Sequence, residues 1–296
     1  MQNTSPKAHF LKTAFLTLAA LIAFAANSVL CRMALGEASI DAASFTSIRL
    51  ISGTVVLLLL VLLRSKLHSP KKQVSKGSWT SGVLLFLYAA CFSYAYVTLD
   101  TGVGALILFA SVQITMIAYA IIQGRKLNHR EWIGVILAFG GFVYLVSPGV
   151  SAPSIEGLTL MTVSGFGWGM YSVRGKASNN PLEDTSFNFL RSLPFLVIFV
   201  VIGLSELRFS ERGVWLAIAS GAVTSGIGYT IWYMALNGLN NVEASVVQLS
   251  VPALAAAGGI LLLSESISLR FILSSVIILG GIFLVVTGKR GFRLRQ

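Results

Sequence analysis

Apolar runs, each closed by charged or turn-forming residues, follow one another along the whole chain. Ten can be drawn, near 11–34, 42–63, 78–99, 103–123, 132–148, 155–173, 185–205, 213–236, 242–263 and 270–288. A helix rising 1.5 Å per residue needs about 20 residues to cross roughly 30 Å of hydrocarbon, so each run predicts one membrane span. The first run is longer than the apolar region of a secretory signal and lacks a clear cleavage site, and it reads as a retained span. The expected fold is an all-α membrane protein.

The runs also repeat. Phe24, Arg32, Ser44, Phe45 and Arg49 recur as Phe166, Arg174, Ser186, Phe187 and Arg191, each displaced by 142 positions (166 − 24; 191 − 49). Further along the offset is 140, aligning Leu127 with Ile267, Arg130 with Arg270, and Gly140-Gly141 with Gly280-Gly281; a difference in loop length accounts for the change. Each copy holds five spans, and an odd number forces the second copy to enter the membrane from the opposite face. The pattern therefore predicts ten transmembrane helices as two inverted five-helix repeats. The first covers 11–148 and the second 155–288, joined across Ser147-Pro148-Gly149 to Pro153-Ser154, with a tail at 1–10 and a basic tail at 289–296. Such repeats place a substrate site near the bilayer midplane and expose it to each side in turn.

Composition agrees with a membrane protein, since 55% of residues are hydrophobic and 11% charged. A formal net charge of +11 would suggest nucleic acid in a soluble protein, but its distribution gives another meaning. Lys7, Lys12, Arg64, Lys66, Lys71, Lys72, Lys76, Arg125, Lys126, Arg130, Arg174, Lys176, Lys289, Arg290, Arg293 and Arg295, 16 of 22 basic residues, fall on one side of the predicted topology. Basic residues are retained in the cytoplasm, so both termini are expected there and no nucleic-acid partner is needed. The basic segment 64–76 can also touch anionic headgroups of the bilayer.

Titratable groups are sparse at depth. His9, His68 and His129 fall in cytoplasmic segments, and Cys31 and Cys91 lie in apolar runs as small buried thiols, so no metal or cofactor is expected. Glu37, Asp41, Asp100, Glu206, Glu211 and Glu265 map outside, Glu183, Asp184 and Glu243 inside, and Glu131 and Glu156 to span starts. Proton-coupled exchange of cationic drugs needs a carboxylate at the midplane, so a facilitative mechanism fits better. A membrane enzyme would need paired deep titratable groups, and an enzyme is not expected.

Several stretches resemble a known family. Trp168-Gly169 in the sixth span, Arg49 and Arg191 in the second and seventh, and Leu249-Ser250-Val251-Pro252 through Leu263-Ser264-Glu265 to Ile267-Ser268 are similar to the drug/metabolite transporter superfamily, in the branch built from two EamA-type units. The run Thr98-Leu99-Asp100-Thr101-Gly102-Val103-Gly104-Ala105, with Phe109-Ala110-Ser111-Val112-Gln113, resembles bacterial aromatic amino-acid exporters. The resemblance implies a multi-pass transporter of the bacterial inner membrane that exports aromatic and other amino acids or related small amphipathic metabolites. Its oligomeric state is not implied. Antiport of nucleotide sugars or phosphorylated metabolites is a rival reading, and a non-transporting scaffold or membrane enzyme is one of another class.

Candidate site residues follow from polarity at depth. Asn27, Gln113 and Gln248 can orient a substrate amine or carboxylate without the desolvation cost of a charge, or can serve as interhelical glue. Tyr88, Tyr94, Trp168, Tyr171 and Tyr229 can stack on an aromatic substrate or pack helices, and Gly167 and Gly169 leave room beside Trp168. Trp79, Trp132 and Trp215 sit at span ends as interfacial belts. Arg49 and Arg191, each costing about 2.5–3.5 kcal/mol in a span on insertion scales, can bind an anion or clamp helix-terminal carbonyls. Their recurrence in both copies favours a structural role. Gly140-Gly141 and Gly280-Gly281 read as packing sites, and Pro252 as a hinge. Function is expected where the copies disagree: Trp168 against Ala26, Asn27 against Gly169, Pro252 against Val112.

Overall fold

A computed structural model describes residues 6–67, 76–147, 149, 152–175, 178, 180–203, 207–239 and 241–288. The basic tail 289–296, residues 1–5, and His68, Lys71, Lys72, Pro148, Lys176 and Glu206, to which positions were assigned above, lie outside the described residues. Helices follow the apolar runs: α1 Pro6–Gly36, α2 Ala42–Leu67, α3 Trp79–Thr98, α4 Thr101–Ile122, α5 His129–Val146, α6 Ile155–Gly175, α7 Pro181–Gly203, α8 Glu211–Ile218, α9 Gly228–Leu236, α10 Asn241–Gln248, α11 Val251–Leu263 and α12 Leu269–Gly288. No strand is present among the described residues, only a single bridge between Ile40 and Phe209.

Two rods depart from the simple expectation. Ala219–Ile227, between α8 and α9, is π-helical, so the eighth run is one rod with a widened middle. The ninth is broken: Leu249 and Ser250 turn back on the carbonyls of Val246 and Val247, and Pro252 opens α11. Proline has no N–H to continue the ladder, and the first helical turn is the position where that loss is harmless.

Among the described residues, eight helical runs are long and apolar enough to cross a membrane. α6 is not among them, and its surroundings give the reason. It carries Gly157, Gly165, Gly167 and Gly169 and packs against α3 and α4. A helix enclosed by protein needs less apolar surface than one facing lipid.

Helix starts are set by capping side chains. Ser78, Ser154, Ser210 and Ser268 accept backbone N–H bonds at the starts of α3, α6, α8 and α12. Asn128 and Glu131 form a reciprocal capping box on α5, and Arg125 pairs with Glu131.

The strongest sign of duplication in three dimensions is α5 against α12. A Cβ added at Gly141 would meet Ile277 and Ile278, and one added at Gly281 would meet Gly134 and Ala138. Under the offset of 140 these contacts exchange: 141 + 140 = 281 and 278 − 140 = 138. The helices run antiparallel, since Asn128 reaches the carbonyl of Gly288 while Gly141 lies by Ile277. Gly140 and Gly280 correct the sequence reading. They face open space, with nothing within 4 Å of an added Cβ, so one glycine of each pair, together with Gly134, makes the close approach.

This asymmetry is testable. Gly281→Val drives a branched side chain into the Gly134 carbonyl and should cost about 1–3 kcal/mol of stability, whereas Gly280→Val should stay within about 0.5 kcal/mol of wild type. Thermal unfolding in detergent measures both.

Candidate functional site

A cavity of about 330 Å³ opens among the helices, its walls drawn from α1, α3, α4, α6, the π segment, α9 and α10. Asn27, Tyr88, Gln113, Trp168, Tyr171, Tyr229 and Gln248 all line it. Tyr94 does not. It is 36% exposed and its ring packs on Phe199, 5.6 Å between centroids. Six residues separate it from Tyr88, which at 100° per residue turns its side chain some 240° away from the wall.

Aromatic rings make the apolar wall. Trp168 stacks on Tyr171 at 5.3 Å and 23°, and lies 4.8 Å from Tyr88 and 5.2 Å from Tyr229. The flanking glycines act on neighbouring helices rather than on the ring. A Cβ at Gly167 would sit 3.1 Å from the Leu84 carbonyl oxygen of α3, and one at Gly169 would crowd Thr115 of α4. They seat α6 between α3 and α4 and so hold Trp168 at the cavity. Phe24 of α1 extends the wall, its ring 5.9 Å from Tyr229 and 5.7 Å from Trp232.

Polar groups gather at the inner end. Asn27 Oδ1 accepts from Ser220 Oγ (2.7 Å) and Thr224 Oγ1 (3.1 Å), and its Nδ2 donates to Tyr88 Oη at 3.5 Å. Ser220 and Thr224 were not singled out in the sequence. Their signal is the spacing i, i+4 within Ser220-Gly221-Ala222-Val223-Thr224-Ser225-Gly226, which puts two hydroxyls on one face of a small-residue stretch. The π conformation occurs at this stretch, as π-turns often do at functional sites. At the other end of the wall Thr185 bonds Tyr233 at 2.8 Å, and Tyr171 adjoins Thr185 and Asn188, each at 3.4 Å.

The two repeated arginines behave differently. Arg191 clamps the carbonyl of Lys76 and lies 5.7 Å from the centre of the exposed Trp79 ring, which is the carbonyl-binding role. Arg49 is 2% exposed and, among the described residues, holds no helix-terminal carbonyl; its Nη2 donates to Tyr88 Oη at 2.9 Å. Equal positions in the repeat have acquired unequal surroundings, because Tyr88 has no tyrosine counterpart facing Arg191. Pro252 is buried where α10 gives way to α11, just past Gln248.

The cavity reaches one face of the bundle, at Gly175, Ser178, Pro181, Leu239 and Ala244. The opposite end is packed shut. Phe92 meets Tyr96 edge to face at 4.8 Å, and Tyr96 Oη donates to the Thr101 carbonyl at 3.3 Å. Beyond them Arg32 pairs with Glu265 (3.4 Å) and Asp100 (3.5 Å) and donates to the carbonyls of Tyr96 and Val97. Glu265 in turn accepts from the Thr101 backbone N–H at 2.9 Å and its hydroxyl at 3.0 Å, capping α4. One carboxylate thus joins the ends of α1, α4 and α11.

A helical bundle around an aromatic, uncharged cavity, open at one end and sealed at the other, defines a multi-pass membrane transporter. The EamA-like transporter family matches residues 11–147 and again 155–287, and the chain belongs to that family. It is 43% identical over 285 residues, 96% of this chain and 98% of the relative, to an uncharacterized protein of Pseudomonas aeruginosa. It is 23% identical to the uncharacterized transporter YoaV of Bacillus subtilis, over 85% of this chain and 89% of that one. A probable amino-acid metabolite efflux pump of Escherichia coli is 22% identical over 65% and 69% of the two chains. A solved structure titled only as a crystal structure of a protein shares the fold, with a TM-score of 0.60 and 17% identity over 94% of this chain and 98% of that chain.

Asn27 bridges three helical elements, so its removal should be felt in stability. Asn27→Ala leaves the buried Ser220 hydroxyl without its acceptor and Tyr88 without the amide donor, while Thr224 keeps the Ser220 carbonyl at 2.7 Å; it is expected to cost about 1–3 kcal/mol, against about 0.5–1.5 kcal/mol for Ser220→Ala alone. Thermal unfolding of the two variants in one detergent gives the comparison.

Proposed function

We propose that the protein exports aromatic and other amino acids, or related small amphipathic metabolites, across the bacterial inner membrane. The observation that carries this reading is the lining: stacked rings of Trp168, Tyr171, Tyr88 and Tyr229 beside the neutral amides Asn27, Gln113 and Gln248. Rings suit an apolar or aromatic body, and amides suit both poles of a zwitterion. No charged side chain lines the cavity among the described residues, which argues against a phosphorylated or nucleotide-sugar substrate needing several cations. The name of the Escherichia coli relative supports the same substrate class.

Transport proceeds in this reading through ten membrane-spanning helices arranged as inverted repeats, with both termini cytoplasmic. The basic loops then lie on the face where the cavity opens, so the described conformation faces inward. The Arg32–Glu265–Asp100 cluster closes the outer end, and outward opening requires it to part. The break before Pro252 supplies a joint for that movement. With no carboxylate on the cavity wall, gradient-driven facilitation supports the observations better than proton exchange.

Proteoliposomes containing the protein should take up labelled phenylalanine, tryptophan or threonine faster than empty vesicles, and identical rates across an amino-acid panel would reject the reading. Trp168→Ala should weaken apparent affinity for phenylalanine about three- to tenfold, since an aromatic pair contributes ~0.5–1.5 kcal/mol. Tyr94→Ala, off the wall, should transport like wild type.

A further inference from the structure

Two charged side chains are buried among the described residues, Arg49 and Glu131, and they are treated very differently. Glu131 is paired with Arg125 and accepts from the Asn128 amide. Among the described residues Arg49 has no carboxylate partner. Its Nη2 bonds Tyr88, its Nη1 is buried without a hydrogen bond, and its charge rests 4.8 Å from the ring centre of Phe92 and 5.2 Å from that of Tyr88. A buried cation left this way favours an anion nearby.

The groups between Arg49 and the cavity are arranged as donors. Asn27 Oδ1 is already taken by Ser220 and Thr224, so this amide offers only N–H toward a ligand. Tyr88 Oη accepts from Arg49 and Asn27, which engages its lone pairs and leaves its hydrogen. A site made of one amide donor, one hydroxyl donor and one positive charge behind them matches a group with two acceptor oxygens and a single negative charge.

We propose that the inner end of the cavity binds the carboxylate of the substrate, held by Tyr88 and Asn27, with Arg49 acting through Tyr88 as a positioning residue that supplies the charge. This deepens the amino-acid reading above and rests on it. It also assigns to Arg49 a task that its repeat partner Arg191, committed to the Lys76 carbonyl, does not share.

Three ligands that differ only in their polar ends separate the possibilities: phenylalanine, 3-phenylpropionate, which keeps the carboxylate alone, and phenethylamine, which keeps the ammonium alone. Binding to the purified full chain is followed by tryptophan fluorescence and by thermal shift. Both carboxylates should bind the wild-type protein about tenfold or more tightly than phenethylamine, a difference of about 1.4 kcal/mol. Tyr88→Phe and Arg49→Gln should collapse that ratio to within about twofold, and Arg49→Lys should restore part of it, a rank-order change that a purely structural role would not produce. If Arg49→Gln does not fold, Tyr88→Phe, which keeps both the ring and the arginine, decides. A ratio near one in the wild type, or one unchanged in Tyr88→Phe, overturns the proposal while phenylalanine binding leaves the amino-acid reading standing. Binding of 3-phenylpropionate without phenylalanine, lost in Tyr88→Phe, supports the carboxylate site and overturns the amino-acid reading; binding of none of the three overturns both.

Discussion

A polar group inside the bilayer must find its partner on another helix, because hydrocarbon offers none. Much of this fold follows from that constraint. Asn27 can sit in the middle of α1 because Ser220 and Thr224 of the π segment and Tyr88 of α3 meet it there. Those bonds require close approach, and close approach requires small residues. A Cβ at Gly221 would run into the Arg49 carbonyl, and one at Gly167 into the backbone of α3. Glycine here is the means by which polar side chains reach one another. The cavity is what remains where the rings of Trp168, Tyr171 and Tyr229 hold the helices apart.

Duplication supplies the frame and divergence supplies the site. The reciprocal contact of Gly141 with Ile278 and of Gly281 with Ala138 shows the two halves meeting through equivalent surfaces. At the cavity the equivalence is gone. Asn27 faces the polar end, whereas its counterpart Gly169 serves helix packing; Trp168 is a ring where the first copy has Ala26. Arg49 and Arg191, identical in sequence, differ as much as any unlike pair, one buried beneath a tyrosine and the other clamped at a helix end. Identity between repeats therefore records common descent and does not by itself record a common role.

The closure uses backbone groups that helix ends leave free. Glu265 caps the first turn of α4 and also holds Arg32, which in turn binds the last carbonyls of α3. A single carboxylate thus joins an ion pair to helix capping, so separating the helices costs both together. On the open side the hydroxyls of Thr185 and Tyr233 hold α7 to α9.

The apolar runs and the repeat were legible in the sequence because each depends on residue type and spacing along the chain. The chain by itself determined that it is helical, that it is built twice, and that its deep polar groups are amides and phenols with few charges. Spacing also carried the cavity residues Asn27, Gln113, Trp168 and Gln248, since a neutral polar or ringed side chain within a span has few other destinations. What the tertiary structure decided was partnership. Tyr94 and Tyr88 are alike in sequence, and the turn of α3 alone sends one out and the other in. Gly140 and Gly141 are neighbours, yet only one meets another helix. The π turn, the break before Pro252, and the placing of Arg49 behind Tyr88 depend on what stands opposite, a long-range property that local pattern does not encode.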